Sequence, residues 1–140
     1  MIFFTVLNCI IFCLISVLHI YWVFGGKWGF ANAIPTLEGK PVLAPGRIST
    51  LIVAFGLLGF AAVHLRALGC FAIGSDYMSG ILLLIVGFIF FLRAIGDFNY
   101  CGLFKKQKGS SFAEWDTKLY VPLCLLMAFN AFITYWSVLN

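Results

Sequence analysis

Charged side chains are what this sequence has least of. Lys, Arg, Asp and Glu make up 10% of its 140 residues, against about a quarter in soluble domains. Hydrophobic residues make up 63%, and the mean hydropathy is +1.06. That balance excludes a water-soluble globule. Patterns that carry chemistry are scarce too. The cysteines, Cys9, Cys13, Cys70, Cys101 and Cys124, form no CxxC pair and no zinc-type Cys/His spacing. Cys9 and Cys13 lie one helical turn apart in an apolar run and read as small buried residues, so a thiol redox centre is not expected. Cys101 alone, just past an apolar run, is placed for reversible palmitoylation. Among the acids only Asp97 and Asp116 are positioned to converge, which leaves a zinc or two-carboxylate site without ligands. His19 and His64 would lie near opposite ends of two antiparallel helices, roughly 15 Å apart in depth and too far to share a haem iron. No cofactor and no metal is expected. No repeat, low-complexity tract or nucleic-acid-binding module is evident, so nucleic acid is not expected as a partner.

Long apolar runs with few charges are abundant instead. Crossing a hydrocarbon core of about 30 Å takes about 20 apolar residues, and four such runs are present, over about 2–24, 48–69, 79–99 and 118–139. In lipid these satisfy their backbone only as helices. The expected fold is therefore an all-α integral membrane protein, a single domain over residues 1–140 with four transmembrane helices in an antiparallel bundle. The first run lacks the basic start and small-residue cleavage site of a signal peptide, and a retained helix is expected. Lys27, Lys40 and Arg47 fall in the first connection and Lys105, Lys106, Lys108 and Lys118 in the third, against Arg66 alone on the other side. This bias places loops 25–47 and 101–117 in the cytoplasm and both termini outside the cell membrane.

Loop 25–47 is long for a link between neighbouring helices, and Trp28, Phe30 and Ile34 make it too apolar for a solvated linker. It should lie along the headgroups or fold back over the bundle. Further on, Ser111 and Glu114 have the offset of a capping box, predicting a helix that starts before the membrane. Pro122 then either kinks that helix or marks the start of a separate span.

Thr5, Asn8, Ser16 and His19 share one stripe of the first span, and Asn130, Thr134 and Ser137 share one in the fourth. Both stripes should face protein and form interhelical hydrogen bonds, each worth about 0.6 kcal/mol. Gly56 and Gly59 in the second span, with Gly80 and Gly87 in the third, are read as sites of close helix approach. Arg93 and Asp97 are four apart and able to pair, but an acid near a helix C-terminus opposes the macrodipole by about 0.3 to 1 kcal/mol, so Asp97 should have a further partner. Alternation of spans gathers His19, Trp22, Trp28, Arg47, Arg93, Asp97, Asn99, Asp116 and Tyr120 at the basic end. These residues are the candidate ligand-binding set, a polar mouth rimmed by aromatic side chains. An ordinary aromatic belt with a packing charge pair is the alternative.

Three stretches, "HIYWVFGGKWGFANAIP", "RAIGDF" and "FNYCGLFKKQKGSSFAEWDTKLYVPLCLLMA", carry a resemblance. They resemble the four-span family catalogued as domain of unknown function 3995, over nearly the whole chain, with Trp22, Gly25, Gly26, Trp28, Asp97, Asp116, Tyr120 and Pro122 matching its pattern. The resemblance implies a small bacterial integral membrane protein and transfers no activity. The expected function is binding of a membrane lipid or amphiphilic small molecule in the mouth. Two further readings stand beside it: an accessory or assembly subunit of a larger membrane complex or homo-oligomer, and a membrane enzyme acting on a lipid-like substrate through His19 and Asp97.

Overall fold

A computed structural model describes residues 2–72 and 74–140. Helix α1 spans Ile2–Val23 and the single-turn α2 Phe30–Ala33. Strands β1 (Thr36–Leu37) and β2 (Lys40–Pro41) form a small antiparallel hairpin, in which Glu38 and Gly39 both take the positive φ of a tight two-residue turn. Helix α3 covers Arg47–Ala67 and α4 Asp76–Ile95. The last rod is continuous: α5 (Ser111–Trp115), a π-helical turn (Asp116–Tyr120) and α6 (Val121–Leu139). Four helical stretches are long and apolar enough to cross a membrane, namely α1, α3, α4 and the rod Ser111–Leu139.

The third span lies earlier in the chain than expected, starting at Asp76 and stopping at Ile95. Gly96 takes φ +89°, and its N–H closes on the Leu92 carbonyl. The fourth begins at Ser111 with Ser110 as N-cap, its hydroxyl accepting the Ala113 N–H at 3.1 Å. The expected Ser111/Glu114 capping box is thus replaced by a simple cap from Ser110, whose N3 residue, Ala113, has no side chain to return the bond, and the Ser111 hydroxyl donates to Asn32 Oδ1 at 2.6 Å instead.

The bundle is apolar outside and partly polar inside, the arrangement a bilayer favours. On α1 the buried face is Thr5, Asn8, Cys9, Phe12 and Ser16, while Phe3, Ile10, Leu14 and Val17 are exposed. Both polar stripes therefore turn inward, as their spacing predicts. Ser16 donates to the Ala54 carbonyl (2.8 Å), Cys9 to that of Ala61 (3.6 Å) and Asn8 to His64 Nε2 (3.1 Å), so contacts run in opposite senses along α1 and α3. Thr5 meets Thr134 at 2.9 Å, and Asn130 donates to Asn8 Oδ1 at 3.0 Å, giving α1 and α6 the same relation. Phe12 fills the centre, its ring against those of Phe60, His64 and Phe90.

The four glycines divide. Gly80 lies under the Tyr135 ring and Gly87 under that of Phe132, which closes α4 onto α6. Gly56 and Gly59 instead face outward with open space beyond them, a correction to the expected close approach within the bundle. Gly87→Ala would place a methyl group 2.5 Å from the Phe132 ring and should destabilise by about 1 to 3 kcal/mol. Gly56→Ala should be neutral or stabilising by up to about 1 kcal/mol. Unfolding of both variants in mixed micelles checks this contrast.

Candidate functional site

Asp116 is the most constrained charged residue of the basic end, with 0% exposure. It opens the π turn, where the Val121 N–H reaches back to the Asp116 carbonyl. Pro122 follows at once. Its ring would crowd a carbonyl one turn back in a regular α-helix, and the wider π turn relieves that clash, so the rod passes Pro122 without breaking. One Asp116 oxygen, Oδ1, accepts Arg93 Nη2 at 3.0 Å. The other, Oδ2, accepts the Gly102 N–H at 2.7 Å and Lys105 Nζ at 3.0 Å. Lys105, its side chain only 4% exposed, also donates to the Gly102 carbonyl (3.2 Å) and Thr117 Oγ1 (2.7 Å). An unpaired carboxylate here would cost several kcal/mol in desolvation. Two cations and a backbone N–H offset that cost.

Loop 96–110 is shaped to deliver those donors. A side chain at Gly96 would run into the Cys101 carbonyl, and one at Gly102 into that of Ile95, so both crossings require glycine. The Leu103 N–H closes on the Ala94 carbonyl at 2.9 Å, and the Asn99 carbonyl takes the N–H groups of Lys106 and Gln107. Asp97 does not pair with Arg93. Its Oδ1 accepts the N–H groups of Asn99 (3.0 Å), Tyr100 (2.8 Å) and Cys101 (3.0 Å), which is the further partner its position called for. Partial desolvation pushes the Asp97 carboxyl up, and the three N–H groups outweigh it, holding the group below the usual carboxylate range.

Loop 24–46 folds back over the same end. Trp22 Nε1 donates to the Trp28 carbonyl at 2.8 Å, and its ring packs between His19 and Phe30. The Tyr120 hydroxyl donates to the Asn32 carbonyl at 3.1 Å, fastening this loop to the last rod beside the Ser111 contact. The His19 Nδ1–H is directed at the Ile15 carbonyl at 2.8 Å. Arg47 is exposed and makes no ion pair among the described residues. Along α1, Leu14, Ile15, Val17, Leu18 and Tyr21 form with Trp28 an open apolar groove of about 590 Å³.

A second polar cluster lies toward the other end. Asn8 donates to the Met127 carbonyl (2.9 Å) and to His64 Nε2, while His64 Nδ1 faces the Phe60 carbonyl at 2.9 Å. Nδ1 must therefore carry the proton and Nε2 accept, which fixes one neutral tautomer. Both ring nitrogens are occupied within the bundle.

The nine candidate residues thus resolve into groups. Arg93 and Asp116 are bonded directly. His19 and Trp22 pack ring against ring with Phe30, Trp28 joins them only through its carbonyl, its exposed side chain standing outside the stack, and Tyr120 clips the loop down. Asp97 and Asn99 build the turn of loop 96–110, and Arg47 stands apart. No hydrogen bond or ion pair joins His19 to Asp97 among the described residues. Lys105, Gly102, Thr117 and Asn32 complete the arrangement, and sequence spacing did not single them out. Lys105 in particular sits in a basic run, "KKQK", that reads as topology control.

The fold and site define a small four-span membrane protein with a buried charged cluster at its basic end. The chain belongs to the family described as protein of unknown function DUF3995, whose model matches residues 12–131. No curated protein and no solved structure matches it.

Asp116→Asn, which leaves Arg93 and Lys105 without a counter-charge, should cost about 3 to 5 kcal/mol, read from denaturant unfolding in micelles. A separate pH effect follows from Asp97. Because its folded pKa lies below the ordinary 3.8, its contribution is complete above that value and is lost as pH falls through the folded pKa. A carboxyl carbon NMR titration should give a midpoint below 3.8, with the amide signals of Asn99, Tyr100 and Cys101 moving in the same transition.

Proposed function

We propose that this protein binds a membrane amphiphile at its basic end, with an acyl chain lying along the α1 groove beneath Trp28. The observation that carries the reading is the groove itself. Its walls are apolar, it runs along the outward face of a membrane-spanning helix, and Trp28, 75% exposed, overhangs it. Trp28 is held there by its own backbone, through the Trp22 indole bond. Lys27 is exposed beside it and makes no ion pair among the described residues, which suits an anionic headgroup. The excess of Lys and Arg in loops 25–47 and 101–117 favours placing this end on the cytoplasmic face of the cell membrane.

A second reading, a subunit of a homo-oligomer or larger membrane complex, draws on Gly56 and Gly59, whose open outward face would let another helix approach closely. For the acid/base reading, the Ile15 carbonyl holds His19 through Nδ1 and the turn of loop 96–110 holds Asp97 through Oδ1, and no hydrogen bond joins the two side chains among the described residues.

Native mass spectrometry of protein extracted from phosphatidylglycerol nanodiscs tests the groove. Trp28→Ala, which removes the overhang, and Val17→Trp, which fills the groove, should each weaken lipid retention by about fivefold to tenfold. Ile52→Ala, on the lipid face of α3, should leave it unchanged. Equal retention in all three variants would dismiss the proposal.

A further inference from the structure

At the buried cluster, donors and acceptors do not balance. Lys105 Nζ spends its three protons on the Gly102 carbonyl, Asp116 Oδ2 and Thr117 Oγ1. Asp116 uses both oxygens, on Arg93, Gly102 and Lys105. Arg93 does not come out even: Nη2 meets Asp116, while Nη1 is buried without a hydrogen-bond partner. Charge gives the same answer as the donor count, since two cations face one carboxylate and leave an excess of one positive charge. An unfilled guanidinium nitrogen in a low-dielectric setting is costly, and a negatively charged oxygen corrects both imbalances at once. The Arg93 side chain remains 33% exposed and stands in the last turn of α4, where a membrane-spanning helix nears the headgroup level.

We propose that Arg93 is half of a binding site for a phosphate oxygen, borne either by a lipid headgroup or by free inorganic phosphate. Asp116 positions the guanidinium by holding Nη2, and a small rotation of the partly exposed side chain brings Nη1 out from its cover to meet the ligand. The site shares no residue with the α1 groove and stands or falls independently of it.

The experiment uses the full-length protein in neutral detergent with ¹⁵N-labelled arginine, so that Arg93 is observed beside Arg47 and Arg66. Three probes are titrated: inorganic phosphate, short-chain phosphatidylglycerol and short-chain phosphatidylcholine. Saturable movement of the Arg93 side-chain signals, with those of Arg47 unmoved, is expected. A response to phosphatidylglycerol alone assigns a lipid headgroup, and one to inorganic phosphate assigns the free anion. Phosphatidylcholine separates a need for net negative charge from phosphate recognition as such. Read from the ³¹P signal of the titrated probe, Arg93→Lys, which keeps the charge beside Asp116 but removes the second nitrogen, should weaken binding about tenfold, while Lys118→Gln changes it less than about twofold. The proposal is overturned if no probe moves the wild-type Arg93 signals, or if Arg93→Lys binds as tightly as wild type. Because the wild-type titration decides by itself, poor folding of the variant does not rescue the idea.

Discussion

Asp116 has no access to water, and an ionised carboxylate in that position is tolerated only when its surroundings replace hydration with fixed donors. Most of the basic end follows from meeting that demand. Gly102 must bring its N–H within 2.7 Å, so loop 96–110 turns where only glycine fits. Lys105 must leave a solvated basic run and tuck under the loop, which it does with its side chain 4% exposed. Arg93 must project from the end of α4, and the π turn before Pro122 sets the start of the last rod against it. Remove the carboxylate and three separate pieces of chain lose their common point of attachment.

The opposite end obeys the same rule by neutral means. Asn8, His64, Asn130, Thr5 and Thr134 join α1, α3 and α6 through side-chain hydrogen bonds in a region that excludes water. Each such bond is worth only about 0.6 kcal/mol on average in membrane bundles, so their larger effect is on register. A helix that slid by one turn would leave several buried polar groups without partners, and an apolar seam alone would not penalise that slip. Helix association here rests on a buried charged cluster at one end and a buried neutral network toward the other, where Arg66 also pairs with the exposed Asp76 at 2.9 Å, with Phe12 and the aromatic rings around it filling the space between.

Much of this was legible from residues alone. The four spans follow from apolar runs that lipid can accept only as helices, and the inward stripes on α1 and α6 follow from offsets of three and four. Arg93 and Asp116 were both in the candidate set, but their pairing was not, because proximity in sequence favoured Asp97, four residues on. What decides the issue is a loop conformation: Asp97 captures three backbone N–H groups only once Gly96 and Gly102 let the chain double back. Lys105 was hidden for a related reason, since nothing in "KKQK" separates the one lysine that is buried from its solvated neighbours. The outward turn of Gly56 and Gly59 was equally hidden, because a glycine's helical position does not tell which of two faces meets protein.

The central claim is that a buried Asp116 pins Lys105 and, through it, loop 96–110 to the end of the bundle. Brief labelling of the folded protein with an amine-reactive ester, read residue by residue by mass spectrometry, tests it most directly. Lys106 and Lys108, both exposed, should be modified readily, and Lys105 should stay protected until Asp116 is replaced by alanine. Labelling of Lys105 in the wild-type protein at the rate of its two neighbours would contradict the account.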